Sequence, residues 1–328
     1  MRRYLITGGA GFIGSHIATG LINRGDSVRI FDNLDSGNLN NLAHLELGEQ
    51  GSGAPVEFVQ GDIRDVEAVR AAFGQSGEIE GVFHEAAQVS VPRSIEEPEA
   101  SYAINVTGSL NVVESARRAG VRKVVAAASS AAYGDSDELP KHEAMAPNPL
   151  SPYASGKLAM EGILEVWAKV HGMHCVNLRY FNVFGPRQAD DSPYTGVIAI
   201  FARRLLDTLP ITIYGDGEQT RDFTYIDNVV AANLLAMDAG DDPDTKIGPG
   251  EVCNVGVSER TSLNALYGAM AELAGVELKP THAEPRVGDV QHSLASLDKT
   301  RRLLGYEPKV GFREGIGATF AWYKSGGS

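Results

Sequence analysis

The chain has 328 residues, 43% of them hydrophobic and 22% charged, a globular composition with ample material for one large or two modest domains. A formal net charge of −13 argues against a general nucleic-acid binder, while leaving open a phosphate-bearing ligand held by helix N-termini and a few placed arginines. No apolar run approaches the roughly 18 residues of a membrane span, and the two cysteines, Cys175 and Cys253, suggest neither a disulfide framework nor a metal cluster, so a cytoplasmic protein without a metal site is expected.

The opening MRRYLITGGAGFIG has two basic residues but neither a long apolar region nor a cleavage site, so no secretory signal is expected. RYLIT predicts a first strand, followed by a helix over Phe12 to Arg24. Between them, TGGAGFIG (7–14) places Gly8, Gly11 and Gly14 at a strand–helix junction, with Phe12 and Ile13 opening the helix. Glycines there permit a tight turn, close approach of backbone to a pyrophosphate, and strand–helix packing, and the helix N-terminus offers free amides to the phosphates. SVRIFD (27–32) predicts the second strand and ends in Asp32, 18 residues after Gly14 and followed by Asn33. A carboxylate at that spacing accepts the ribose hydroxyls of NAD and repels a 2′-phosphate, so NAD is favoured over NADP. VEFVQGD (56–62) is the third strand; Asp62 and Ile63 are candidates to flank adenine. After a helix near 65–73, GVFHEAA (81–87) is the fourth strand, where Ala86 and Ala87 let the backbone pass beneath the cofactor.

A long helix is predicted over Ala100 to Ala119, then a strand over KVVAAASS (123–130), a helix from Ser151 to His171 and a strand over HCVNLRYFN (174–182). Strand–helix alternation with nearly continuous apolar strands predicts a parallel sheet covered on both faces. Ser129 falls at the carboxyl end of its strand, where α/β sites gather. Tyr153 and Lys157, at i and i+4, share one face of a helix. Lowering a tyrosine pKa by about 3 units requires roughly 4 kcal/mol, which Lys157 and a cationic nicotinamide ring can supply in a desolvated cleft. Tyr153 is then a general base for a sugar hydroxyl, with Ser129 bonded to the reacting oxygen. Beyond residue 183 the pattern loosens into short strands (211–215, 252–256) and helices near 196–208, 226–239, 261–274 and 296–304, expected as a smaller irregular lid.

TGGAGFIG, the serine strand, YASGK and LRYFNVFGPRQ (178–188) together resemble the extended short-chain dehydrogenases/reductases. GDGEQTRDFTYIDN (215–228) and RVGDVQHSLASLDKTRRLLGY (286–306) narrow the resemblance to nucleotide-sugar 4-epimerases, and SVPRSIEEP (90–98) with GDVQHSLAS (288–296) to those of the bacterial UDP-N-acetylglucosamine type. The resemblance implies an α/β fold: a Rossmann-type doubly wound parallel sheet over 1–182 carrying NAD, and a smaller mixed α/β substrate domain over 183–328, with a segment near 222–240 returning to the first. It assigns catalysis to Ser129, Tyr153 and Lys157, and the diphosphate sugar to Asn182, Arg221, Arg286 and Asp289, the last through ribose. Arginine forks suit a diphosphate.

Dehydratases of this kind carry an acid pair just after the catalytic hydroxyl residue, and decarboxylases a glutamate. Ser130 and Ala131 stand there instead, which leaves oxidation, rotation and re-reduction at C4. The position where a bulky tyrosine restricts the pocket aligns with Ser293, leaving room for a 2-acetamido group that Ser130 can also contact. The expected reaction is therefore UDP-GlcNAc/UDP-GalNAc interconversion, with UDP-glucose/UDP-galactose also accepted. The rival is a UDP-glucuronate 4-epimerase using Arg187 as a cation near C6; a reading of another class is a non-catalytic dinucleotide-binding sensor. The resemblance also implies a homodimer built by helices 100–119 and 151–171 as a four-helix bundle.

Overall fold

The computed structural model describes residues 1–189, 196–241, 247–285 and 290–327. Its centre is an eight-stranded parallel sheet of β1 (Arg3–Thr7), β2 (Ser27–Asp32), β3 (Leu47–Glu49), β4 (Val56–Gln60), β5 (Gly81–His84), β6 (Lys123–Ser129), β7 (His174–Tyr180) and β8 (Glu251–Val255). Their spatial order is β3-β4-β2-β1-β5-β6-β7-β8. The inner strands are buried along nearly their whole length, as in a sheet covered on both faces.

Alternate residues feed two cores. Tyr4, Ile6, Val125 and Ala127 pack with Ile17 and Leu21 of α1 (Phe12–Asn23). Leu5, Val124 and Ala126 pack on the other face with Val69 of α2 (Val66–Ala72), Val112 and Val113 of α3 (Ser109–Arg118), and Leu164 of α4 (Pro152–His171). The first face also takes Ala232 and Ala236 of α5 (Ile226–Asp238), which packs against α1. Each such large apolar side chain contributes roughly 1.5–3 kcal/mol on burial.

Local signals set the ends of α4. The Ser151 hydroxyl accepts the Ala154 amide at the start of α4, Pro152 occupies its first turn, and Gly172 ends it in the left-handed region at φ +63°. Several elements differ from the sequence reading, and β3 and the helix Phe312–Lys324 have no counterpart in it. The 252–256 segment, expected in the lid, joins the sheet as β8 beside β7. The helix expected over Ala100 to Ala119 runs through Pro98–Tyr102 and α3 but widens to a π-helical stretch over Ala103–Gly108. The Ser90 hydroxyl accepts the Arg93 amide, which turns the SVPRS loop into a short helix, Val91–Glu96.

From β1 the chain moves outward one way to β2 and β4, and later the other way through β5, β6 and β7. That reversal opens a crevice at the carboxyl ends of β1 and β5, the place where doubly wound sheets bind ligands. Helices Val197–Leu206, Leu263–Ala274 and Phe312–Lys324 stand over it, packed around Phe184, Phe201, Phe223 and Tyr267.

Candidate active site

The crevice is a cavity of about 1290 Å³. One end is the glycine turn. Gly8 has φ +70°, and a Cβ there would lie 2.6 Å from the Ala86 nitrogen; one on Gly14 would lie 2.3 Å from the Gly8 oxygen. The turn is thus closed to side chains, and Ala86 packs directly on it. α1 starts at Gly11 with no side-chain cap and no acid in its first turn, so its first amides are left for an anion. At the end of β2, Asp32 accepts the amides of Ala10 (2.9 Å) and Leu34 (2.8 Å), one on each carboxylate oxygen. Each oxygen keeps a second lone pair for a ribose hydroxyl. Burial, outweighing these two bonds, raises the Asp32 pKa.

Asn33 donates to Asp62 at 2.9 Å, and Arg64 clamps the same carboxylate at 2.9 and 2.7 Å, holding it well below the ordinary range. Ile63 is buried beside Gly108. Phe12, Ile13, Asn33, Asp62, Ile63, Ala86 and Ala87 all line the cavity with the three glycines and Asp32. A bare helix N-terminus, a turn without room for a Cβ and a carboxylate with spare lone pairs fit an NAD-type dinucleotide.

The other end carries the residues expected to act on substrate. The β6–β7 register pairs Ser129 with Tyr180, and Ser129, Tyr153 and Lys157 share the cavity wall. Burial pushes the Tyr153 phenol up, opposed by a hydrogen bond from Ser129. Lys157 is not among the groups that act on Tyr153 in the protein alone; its Nζ donates to the Ala127 carbonyl at 2.7 Å. Burial pulls Lys157 down to about 8, with Glu85 and then Glu161 acting the other way. Glu161, one turn further along α4, is held in a buried two-pronged pair by Arg179 at 2.8 and 2.7 Å, and the Arg179 guanidinium lies 4.6 Å from the Tyr133 ring centre.

Of the substrate residues expected from sequence, Ser130, Asn182, Arg221 and Ser293 line the same cavity. Arg286 and Asp289 lie outside the described residues. The segment bearing Ser293 is laid against Arg221 by main-chain bonds from Ser293 to Thr220 (3.0 Å) and from Thr220 to Gln291 (3.0 Å). Between them Asp222, fully buried, accepts the amides of Val257 (2.8 Å), Ser258 (3.0 Å) and Ala295 (3.1 Å). Arg187 also borders the cavity but faces α1: its guanidinium donates to Ser15 O (3.2 Å), Asn41 O (3.1 Å) and His16 (2.8 Å), with its backbone at φ +66°. Arg93 pairs with Asp35 and Glu97, both at 3.1 Å.

Glu85, Lys141, Gln188 and Arg203 line the cavity too and were not singled out in the sequence. The position of Glu85 inside GVFHEAA and that of Gln188 at the end of LRYFNVFGPRQ were the available signals; Arg203 lies in a predicted helix, and Lys141 in a stretch assigned to no element. Among the described residues no group of His, Cys, Asp and Glu forms a metal site, and no helix is long and apolar enough to cross a membrane.

Residues 4–256 match the model of the NAD dependent epimerase/dehydratase family. A UDP-glucose 4-epimerase of Mycolicibacterium smegmatis is 37% identical over 324 residues, covering 98% of this chain and 99% of its own. The crystal structure of a Thermotoga maritima UDP-glucose 4-epimerase with UDP-glucose superposes with a TM-score of 0.89 at 38% identity, covering 99% of each chain. A UDP-N-acetylglucosamine 4-epimerase from Methanobrevibacter ruminantium in complex with UDP-N-acetylmuramic acid gives a TM-score of 0.89 at 32% identity, again over 99% of each chain.

Proposed function

The chain belongs to the NAD dependent epimerase/dehydratase family, and we propose that it is a UDP-sugar 4-epimerase interconverting UDP-GlcNAc with UDP-GalNAc, and also UDP-glucose with UDP-galactose. The observation that carries the assignment is the convergence of Ser129, Tyr153 and Lys157 on the cavity that begins at the glycine turn, with Ser130 and Ala131, not acids, beside them. Tyr153 removes the proton of the 4-hydroxyl and returns it after the sugar has turned over. Ser129 holds the reacting oxygen, and the Lys157 ammonium favours the phenolate. The chemistry NAD would supply there is reversible acceptance of hydride from C4, which would leave the cycle redox-neutral without exchange of cofactor. Gly8, Gly11, Gly14, Asp32 and Lys157 would hold it.

The small side chains of Ser293 and Ser130 on the cavity wall favour acceptance of the 2-acetamido group. A uronate reading needs a cation at C6, and the candidate for it, Arg187, is engaged with α1 and Asn41. Retention of the serine, tyrosine and lysine in one cavity argues against a sensor without chemistry. We place the division between cofactor and substrate domains near residue 182, with α5 returning to α1. The exposed apolar side chains Tyr102, Leu110, Val166 and Val170 on the helices of the expected bundle support a homodimer. Cys175 and Cys253, buried and unpaired, suit a reducing cytoplasm.

The test is to incubate the purified protein, with no NAD added, separately with UDP-GlcNAc, UDP-glucose and UDP-glucuronate, and to resolve the products. UDP-GalNAc formation is expected. Turnover of UDP-glucuronate alone would overturn the acetamido assignment, and no product from any of them, even with NAD supplied, would overturn the activity.

A further inference from the structure

The cavity wall holds a half-buried carboxyl group that the chemistry above does not use. His84, the last residue of β5, pairs in register with Ala126. The chain continues alongside β1 for one more residue, the Glu85 amide donating to Thr7 O at 3.0 Å, which sets Glu85 beside Ala127. Ala127 is the residue whose carbonyl accepts the Lys157 Nζ–H bond. The Glu85 side chain is anchored at one oxygen only. The Tyr180 hydroxyl lies 3.0 Å from Oε1, to which it donates, and 3.1 Å from a second acceptor, Asn233 Oδ1, while Asn233 Nδ2 of α5 donates to the hydroxyl at 2.8 Å. Oε2 is buried and has no hydrogen-bond partner. A carboxylate oxygen left in that state requires a nearby positive charge or a proton.

The groups facing this pair are few in kind. α4 supplies Glu161, already neutralised by Arg179, and Tyr153; β7 supplies Tyr180, whose pKa burial raises. His84, on β5, is bonded to Thr7 and Ser109 and is pulled down to about 3 by burial and then by Lys157, so it stays neutral. Of the two carboxylates that act on Lys157, Glu85 is the one without a guanidinium partner.

We propose that Glu85 is a positioning residue for Lys157: held at Oε1 by Tyr180 and bare at Oε2, its carboxylate is the counter-charge that keeps the Lys157 ammonium charged beside Tyr153 during turnover. The mutual effect has the matching sign. Burial pushes Glu85 up to about 7 and pulls Lys157 down to about 8, and each opposes the shift of the other. The inference rests on Lys157 acting in catalysis as proposed above.

The test uses the holoenzyme with Glu85→Gln, whose amide oxygen still accepts the Tyr180 hydrogen bond, and Glu85→Asp, which retains the charge. Two quantities are read: the titration midpoint of Lys157, from protein carrying 13C at lysine Cε with the resonance assigned by its loss in Lys157→Met, and the alkaline limb of kcat/KM. Both are expected to move down by about one pH unit in Glu85→Gln, the effect of losing one nearby opposite charge, and to return at least halfway in Glu85→Asp. An unmoved midpoint in Glu85→Gln, or an Asp variant that behaves like the Gln variant, overturns the proposal. Should neither UDP-sugar be turned over by the wild type, the assigned activity fails, and the lysine midpoint still decides the role of Glu85. Should Glu85→Gln fail to fold, the wild type decides alone: a Glu85 carboxyl, followed by 13C at glutamate Cδ, that is still protonated where the Lys157 ammonium loses its proton overturns the proposal.

Discussion

At the scale of single residues, the site is defined by what has no room to change. A methyl group on Gly14 meets main-chain oxygen at 2.3 Å, and neither partner is a flexible side chain that can yield. Gly14→Ala is therefore expected to purify without bound NAD, measured by the nicotinamide content of the denatured protein, whereas the wild type retains it. Full retention in the variant would mean that the turn does not lie against the dinucleotide. Ser293 makes the opposite case, a position valued for the volume it leaves empty. Ser293→Tyr is expected to lose UDP-GlcNAc turnover by at least about tenfold, the equivalent of 1.4 kcal/mol of transition-state binding, while UDP-glucose turnover changes little. Equal losses on both sugars would show that residue 293 does not face the 2-substituent.

At the scale of elements, the sheet and the cofactor turn were legible because their signals are local. Gly8 to Gly14 span one turn, Asp32 ends the next strand, and Tyr153 and Lys157 share one helix face. What was not legible depends on pairing across the chain: β8 joining β7, Glu85 held by Tyr180, and Asp222 binding the amides of Val257, Ser258 and Ala295. Arg187 was legible as a cation but not in direction, since its left-handed backbone turns it towards α1.

Asp222 gives this scale a pH test. Burial pushes its pKa up to about 6, against the pull of its amide donors. A raised carboxyl pKa means that its contribution to stability is fully present below the unfolded value, near 3.9, and is lost as pH rises through about 6. Asp222→Asn lacks that dependence. Its stability relative to wild type is expected to climb by roughly 2 kcal/mol between pH 4 and 7, whatever its starting offset. Denaturant melts at several pH values check this, and a difference that stays flat would show that the carboxyl titrates as if unfolded.

At the scale of the whole molecule, two layers of helices seal the sheet, and the reversal of strand order opens a single continuous cavity between cofactor turn and catalytic wall. The outer faces of the long helices leave Val166 and Val170 49% and 67% exposed, which is where the second copy is proposed to pack. Sedimentation is expected to give twice the 35.0 kDa chain mass for the wild type and the single mass for Val166→Glu combined with Val170→Glu. A wild type that sediments at the single mass removes the dimer.

The central claim is that the hydrogen leaving C4 is the one that returns to it, on the other face of the sugar, within one binding event. Supplying UDP-GlcNAc deuterated at C4 in ordinary water, with no added NAD, and locating the label in the product by NMR tests this most directly. UDP-GalNAc with deuterium retained at C4 is the result expected, and Tyr153→Phe should give no such product. Loss of the label to water would contradict hydride return and put a proton-exchange route in its place.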